Sequence, residues 1–94
     1  MSASVQMYCT AVCPFCVRAE RLLQARGVTL IEKIRVDLQP ELRLAMMQKT
    51  GRRSVPQIYI GTRHIGGYDD LAALDRDGEL IRLLNAAVEP GNPP

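Results

Sequence analysis

The sequence predicts an α/β domain built on a four-stranded mixed sheet in the element order βαβαββα, with helices on both faces. Three observations predict it. Val5–Cys9 and a later β-branched, apolar run are separated by an amphipathic helical stretch, a strand–helix–strand unit whose two strands should be parallel. Gln57–Ile60 and Arg63–Ile65 are joined by Gly61-Thr62, the length and residue type of a tight hairpin. Ninety-four residues without an internal repeat make one domain, near the small end of what folds without metal or disulfides.

Each element follows from local pattern. Val5-Gln6-Met7-Tyr8-Cys9 is short and alternating, and a turn follows it. From Pro14 to about Arg26, Val17, Leu22, Leu23 and Ala25 are apolar against polar Arg18, Glu20, Arg21 and Gln24, and Gly27 ends the helix. Val28 to Val36 is the second strand. Pro40 opens a second helix, which runs to about Lys49 with Leu42, Ala45, Met46 and Lys49 at helical spacing and stops at Gly51. Pro56 precedes a strand that begins at once, so it sits at an edge or is cis. Gly66-Gly67 makes a close turn, and Asp69 is the expected N-cap of a third helix through Leu71, Ala72 and Leu74. Asp77-Gly78 breaks that helix, and a last one runs from Glu79 to about Val88. The domain is expected over 1–88, with 89–94 a frayed, disordered C-terminal tail. This order, with the hairpin antiparallel, is the thioredoxin architecture.

The chain is organised around Cys13-Pro14-Phe15-Cys16. Residues i and i+3 of a first helical turn share a face, so the two sulfurs can close a disulfide with little backbone movement. Unpaired amides and the positive end of the macrodipole favour a thiolate on Cys13. Pro14 suits the first helical position because no N–H is needed there. Cys16, a turn further in, is the expected buried resolving thiol. Other readings exist for the same residues. Cys9, Cys13, Cys16 and His64 would make a Cys3His zinc set, but there is no second Cys pair and no other histidine, so no metal is expected. A structural disulfide does not fit the reducing compartment that the opening residues suggest. Cys9 packs as a small hydrophobe; the alternative, pairing with Cys13, predicts a Cys9 bridge in oxidised Cys16→Ser protein.

Composition narrows the function class. Hydrophobic residues are 47% and charged residues 23%, ordinary for a globular protein. The net charge of +2 is too mild for a nucleic-acid footprint, and the basic residues are scattered. Ten of the twelve basic residues are Arg, whose planar fork suits carboxylate recognition. The opening residues show no basic and apolar leader and no segment could span a membrane, so the expected location is cytoplasmic.

From Val5 to about Leu84 the chain resembles bacterial glutaredoxins of the dithiol class. Four blocks carry the resemblance: Tyr8 with Cys13-Pro14-Phe15-Cys16, Gly51 through Ile60, His64-Ile65-Gly66-Gly67, and Asp69-Asp70-Leu71. Thioredoxins usually carry Trp before the first cysteine, and this chain has no Trp. The resemblance implies glutathione-dependent thiol–disulfide exchange with Cys13 as nucleophile and Cys16 as resolving thiol. Glutathione would be the co-substrate, and disulfide-bearing or glutathionylated proteins the partners of a monomer. It further implies a glutathione groove of Phe15, Ser54, Val55, Pro56, Gly67, Tyr68 and Asp69, with a cis Val55-Pro56 bond that lets the Val55 backbone pair with glutathione as an added strand. Arg43 matches a position used for the glycyl carboxylate. Three positions depart from the usual pattern: Thr10 stands where Lys is common, Tyr68 where Cys is common, and Phe15 where Tyr is common. The competing readings are an electron donor fed by thioredoxin reductase, an iron–sulfur carrier built from two chains, and a binding module with a vestigial site. Gly66 through Asp70 favours the first reading over the electron donor. Pro14 opposes the cluster, and both intact cysteines oppose the vestigial module.

Overall fold

The structure, a computed structural model, describes residues 4–86. The expected end of the last helix at Val88 and the tail over 89–94 lie outside the described residues. Eight elements alternate as the sequence pattern requires: β1 Val5–Cys9, α1 Pro14–Ala25, β2 Ile31–Arg35, α2 Pro40–Thr50, β3 Gln57–Ile60, β4 Arg63–Gly66, α3 Tyr68–Arg76 and α4 Glu79–Ala86. The sheet order is β2-β1-β3-β4. β1 runs parallel to β2, with Met7 opposite Lys33, and antiparallel to β3, with Met7 opposite Ile58. β3 and β4 form the antiparallel hairpin, with a bulge at Ile58/Tyr59 and Gly61 at positive φ in its turn.

Strand alternation divides the core in two. Val5, Met7 and Cys9 of β1 and Ile58 and Ile60 of β3 face α1, α3 and α4, where Cys16, Ala19, Leu23, Leu71, Leu80 and Leu84 complete one cluster. Tyr8 and Tyr59 point the other way, onto Val36 and Met46 of the α2 side. Helices therefore cover both faces of the sheet, and the cysteine-bearing α1 lies on the better-covered one. Removing a Leu side chain from water contributes about 1.5–3 kcal/mol, so the first cluster dominates stability. At the far end of α1, Arg26 forks onto Asp75 of α3, with Nε–Oδ1 at 2.5 Å and Nη2–Oδ2 at 2.7 Å.

Two local expectations are corrected, and α2 adds a finding of its own. The second strand starts at Ile31, not Val28. Gly27 adopts φ +96° and donates its N–H to Gln24, while the Val28 N–H reaches back to the Leu23 carbonyl. That pairing closes α1 as a Schellman motif, so buried Val28 belongs to the helix stop and Thr29-Leu30 to an exposed connection. α3 starts at Tyr68 with Gly67 as its N-cap, not Asp69. The reason is Asp70, whose carboxylate accepts the Gly67 N–H at 2.9 Å and satisfies an orphan donor one position earlier. On α2 the inward residue is Met46, packed with Leu42 and Met47, while Ala45 and Lys49 are exposed. Lys49 instead holds its ammonium 4.5 Å over the Tyr59 ring.

Candidate active site

β1 ends at Cys9, and four residues later Cys13 caps α1. Its extended φ/ψ of −146°/100° turns the sulfur back over the first turn, where it accepts the Cys16 backbone N–H at 3.2 Å. Pro14 occupies the first helical position as its missing N–H permits. The Cys13 thiol also points at the Val55 carbonyl, 3.8 Å away. Cys13 is half-buried, whereas Cys16 is 5% exposed. Burial, reinforced by the hydrogen bond with Cys13, pushes the Cys16 thiol up to about 12, although the Thr10 backbone N–H pulls the other way. An accessible sulfur with an amide bonded to it and a second thiol sequestered one turn on can form a mixed disulfide and then close it internally.

Cys9 points into the core beside Val5 and Met7, and burial raises its pKa. It borders a small cavity of about 100 Å³ that Cys13 and Cys16 also touch. All three cysteines are free thiols. His64 does not join them. Its Nε2 lies 2.8 Å from Gln57 Oε1, and because an amide oxygen only accepts, Nε2 carries the hydrogen. Burial and nearby Arg52 lower the His64 pKa, which favours this neutral form. No group of three His, Cys, Asp or Glu side chains suited to a metal occurs among the described residues.

Beside Cys13 a cleft of about 250 Å³ opens between the start of α1, the loop before β3 and the start of α3. It gathers Phe15, Ser54, Val55, Pro56, Gly67, Tyr68 and Asp69, seven of the eight residues expected to line it. The Val55-Pro56 bond is cis. Phe15 and Tyr68 face each other across the cleft with ring centroids 6.3 Å apart, so two of the positions that depart from the usual pattern meet. Beneath the loop, the fully buried Gln57 side chain donates to the Ser54 carbonyl at 3.0 Å, and His64 fixes its other end.

Arg43 is the eighth residue and is not among those lining the cleft. Its Nη1 donates to the Arg53 carbonyl at 3.0 Å, so it braces the loop that carries Ser54. The cleft contains two residues that the site reading omitted, Arg52 and Asp70. Arg52 Nη1 donates to Asp70 Oδ2 at 2.8 Å, and the same oxygen accepts the Gly67 N–H. This pairing, with the Gly67 bond, holds the Asp70 carboxyl below the usual carboxylate range. The spacing Gly67 to Asp70, cap to third helical residue, was the available signal for Asp70; nothing local marked Arg52. Among the described residues no helix is long and apolar enough to cross a membrane.

The family model described as Glutaredoxin matches residues 5–65. A glutaredoxin of Neisseria meningitidis is 51% identical over 82 residues, covering 87% of this chain and 96% of that protein. Glutaredoxin 3 of Escherichia coli is 44% identical over 82 residues, covering 87% and 98%. Among solved structures, a buckwheat glutaredoxin–glutathione complex superposes with a TM-score of 0.84 at 29% identity, over 92% of this chain and 80% of that one. The solution structure of a Brucella melitensis glutaredoxin gives 0.77 at 42% identity, over 88% and 89%.

Proposed function

Since the chain belongs to the glutaredoxin family of thiol–disulfide oxidoreductases, we propose that it works with glutathione, through Cys13 as nucleophile and Cys16 as resolving thiol. The single observation that carries this reading is the Cys16 N–H bonded to the Cys13 sulfur, which itself lies 3.8 Å from the carbonyl of Val55, a wall residue of the cleft.

Cys13 attacks the glutathione sulfur of a mixed disulfide. A bond forms between the two sulfurs, the original S–S bond breaks, and the protein thiol leaves as a thiolate that takes up a proton. A second glutathione thiolate then attacks the glutathione sulfur now held on Cys13, releasing glutathione disulfide and regenerating Cys13. With a protein disulfide, Cys16 attacks Cys13 instead and frees the reduced target. The cysteine pair is oxidised, and two glutathione molecules reduce it again.

The cleft has the chemistry for a tripeptide. The Val55 backbone can pair with the extended cysteinyl segment, as an added strand does. The N-terminus of α3, at Gly67, Tyr68 and Asp69, offers amides and an acid to the γ-glutamyl end. The fork of Arg52 suits a ligand carboxylate within the cleft, and Arg43 acts from behind by bracing the loop. Disulfide-bearing or glutathionylated proteins are the partners of this monomer in a reducing, cytoplasmic setting.

The test is turnover of a glutathione mixed disulfide, coupled to glutathione reductase and NADPH. Cys13→Ser should abolish it and Cys16→Ser should retain it. Absence of wild-type turnover, with thioredoxin reductase able to reduce the protein, would instead establish the electron-donor reading.

A further inference from the structure

Among the described residues Gln57 is the one polar residue buried in the core, at 0% exposure. Burying an amide costs free energy unless it is hydrogen-bonded, and an apolar side chain would pack there without that demand. Its two ends are therefore informative. Nε2 donates to the Ser54 carbonyl at 3.0 Å, and Oε1 accepts the His64 Nε2–H at 2.8 Å. The direction is forced: a carbonyl only accepts, so the amide nitrogen faces Ser54 and the amide oxygen faces His64. His64 is itself steadied from Tyr59, its partner across the β3–β4 hairpin, with ring centroids 5.1 Å apart.

The loop that Gln57 reaches is exposed from Gly51 to Ser54, and side chains hold it by its carbonyls. Thr50 Oγ1 donates to the Arg52 carbonyl at 3.3 Å, Arg43 Nη1 to that of Arg53 at 3.0 Å, and Gln57 Nε2 to that of Ser54. Three consecutive carbonyls thus each take a donor, two from α2 and one from β3. The next, that of Val55, faces the Cys13 thiol at 3.8 Å. The Ser54 carbonyl and the Val55 N–H belong to one planar trans peptide, so they point in opposite directions. Drawing the Ser54 oxygen inward therefore aims the Val55 N–H away from the core. We propose that Gln57, oriented by His64, is a positioning residue that fixes this peptide plane and so presents the Val55 N–H to the cysteinyl segment of bound glutathione. Without the Gln57 donor the plane is free to rotate, and a rotated plane offers the ligand an oxygen where it needs a donor.

The role toward the ligand rests on the glutathione reading; the hold on the loop does not. In the coupled assay Gln57→Met, which keeps the side chain's length and pairs with neither Ser54 nor His64, should raise KM for the glutathione mixed disulfide about fivefold, the scale of one lost hydrogen bond. kcat should stay within about twofold. His64→Phe, which keeps a ring against Tyr59, should give part of that rise, and His64→Gln, which still donates to Gln57, should recover most of it. Because His64 acts through Gln57, His64→Phe should add nothing to Gln57→Met. A loss of kcat at unchanged KM, the mark of a variant that merely folds less well, would overturn the role. Trypsin gives a readout without glutathione. Under native conditions Gln57→Met should be cut after Arg53 about fivefold faster relative to cleavage after Arg21, inside α1, which reports opening of the whole chain. Equal acceleration at both sites would also overturn the role. A wild type without glutathione turnover, alongside faster cutting after Arg53 in Gln57→Met, would remove the glutathione reading and leave the hold on the loop standing.

Discussion

The Cys13 sulfur accepts the backbone N–H of Cys16 at 3.2 Å, so the residue that hides its own thiol also supplies an amide to its neighbour's. The two thiols therefore differ for one structural reason: the turn that points an N–H outward at Cys13 points the Cys16 side chain into the core.

That asymmetry gives a pH signature. The Cys16 thiol, pushed up to about 12 by burial, ionises in the folded protein well above the range near 8.5 of an unfolded thiol. Its contribution to stability is fully present below that unfolded range and is lost as pH rises through it toward 12. Chemical denaturation of the reduced protein should show stability falling above about pH 8.5, by at most about 1.4 kcal/mol per pH unit from this group. Cys16→Ala should flatten the decline, leaving the smaller share due to Cys9, whose shift has the same sign. Iodoacetamide at pH 8 should label Cys16 only after denaturant is added.

Asp70 titrates in the opposite sense. Its carboxyl is lowered by Arg52 and the Gly67 N–H, so its contribution is present above the ordinary carboxylate range and disappears as pH falls through the folded value. Asp70→Asn should cost under about 1 kcal/mol at pH 7, because the pair is half-exposed, and progressively less as pH falls below the ordinary carboxylate range. In turnover assays it should raise KM for glutathione several-fold with little change in kcat, since it orders the cap of α3 and the Arg52 fork. Arg52→Ala should raise KM more than Arg43→Ala does.

Gly66 adopts φ +116°, and a Cβ there would lie 2.3 Å from Asp70 Oδ2. Gly66→Ala should destabilise by about 1–3 kcal/mol from backbone strain, and it should displace the Asp70 carboxylate from Gly67. Adding Asp70→Ala removes the crowding but not the strain, so the double variant should be less destabilised than the sum of the singles. Strict additivity in urea denaturation would show that the clash is not felt.

The two half-cores make separate stability tests. Leu23 and Met46 are fully buried on opposite faces of the sheet, and replacing either with Ala should cost about 2–5 kcal/mol in urea denaturation. Leu44→Ala, on the 55% exposed side of α2, should change stability by less than about 0.5 kcal/mol.

What could be read beforehand was whatever local chemistry dictates. Cys13 and Cys16 announce themselves because three-residue spacing and Pro14 act within one turn, and Gly51 stops α2 because only its φ of +73° continues the chain there. Alternation in Val5–Cys9 marked the first strand, and the structure sends its alternate side chains to the two core faces. What stayed hidden depends on residues far apart in sequence. Arg52 and Asp70 are 18 positions apart, and their pairing brings both into the cleft. Val28 looks like a strand residue by composition and becomes a helix stop only because Gly27 turns it back onto Leu23. Arg43 was expected at the glycyl carboxylate of the groove, yet its guanidinium is bonded to the Arg53 carbonyl, a preference no spacing rule expresses.

The fork between Arg26 and Asp75 lies at the end of α1 away from the sulfurs, next to the fully buried Leu23. A twelve-residue helix is thereby seated at its base and worked at its tip. Each round of oxidation and reduction need move only one turn and the exposed loop before it, while the rest of α1 serves as a fixed foundation. The two sulfurs thus meet the hydrophobic cluster only through the first turn of α1, where the Cys16 side chain enters it, and the anchored end of the helix stands apart from them.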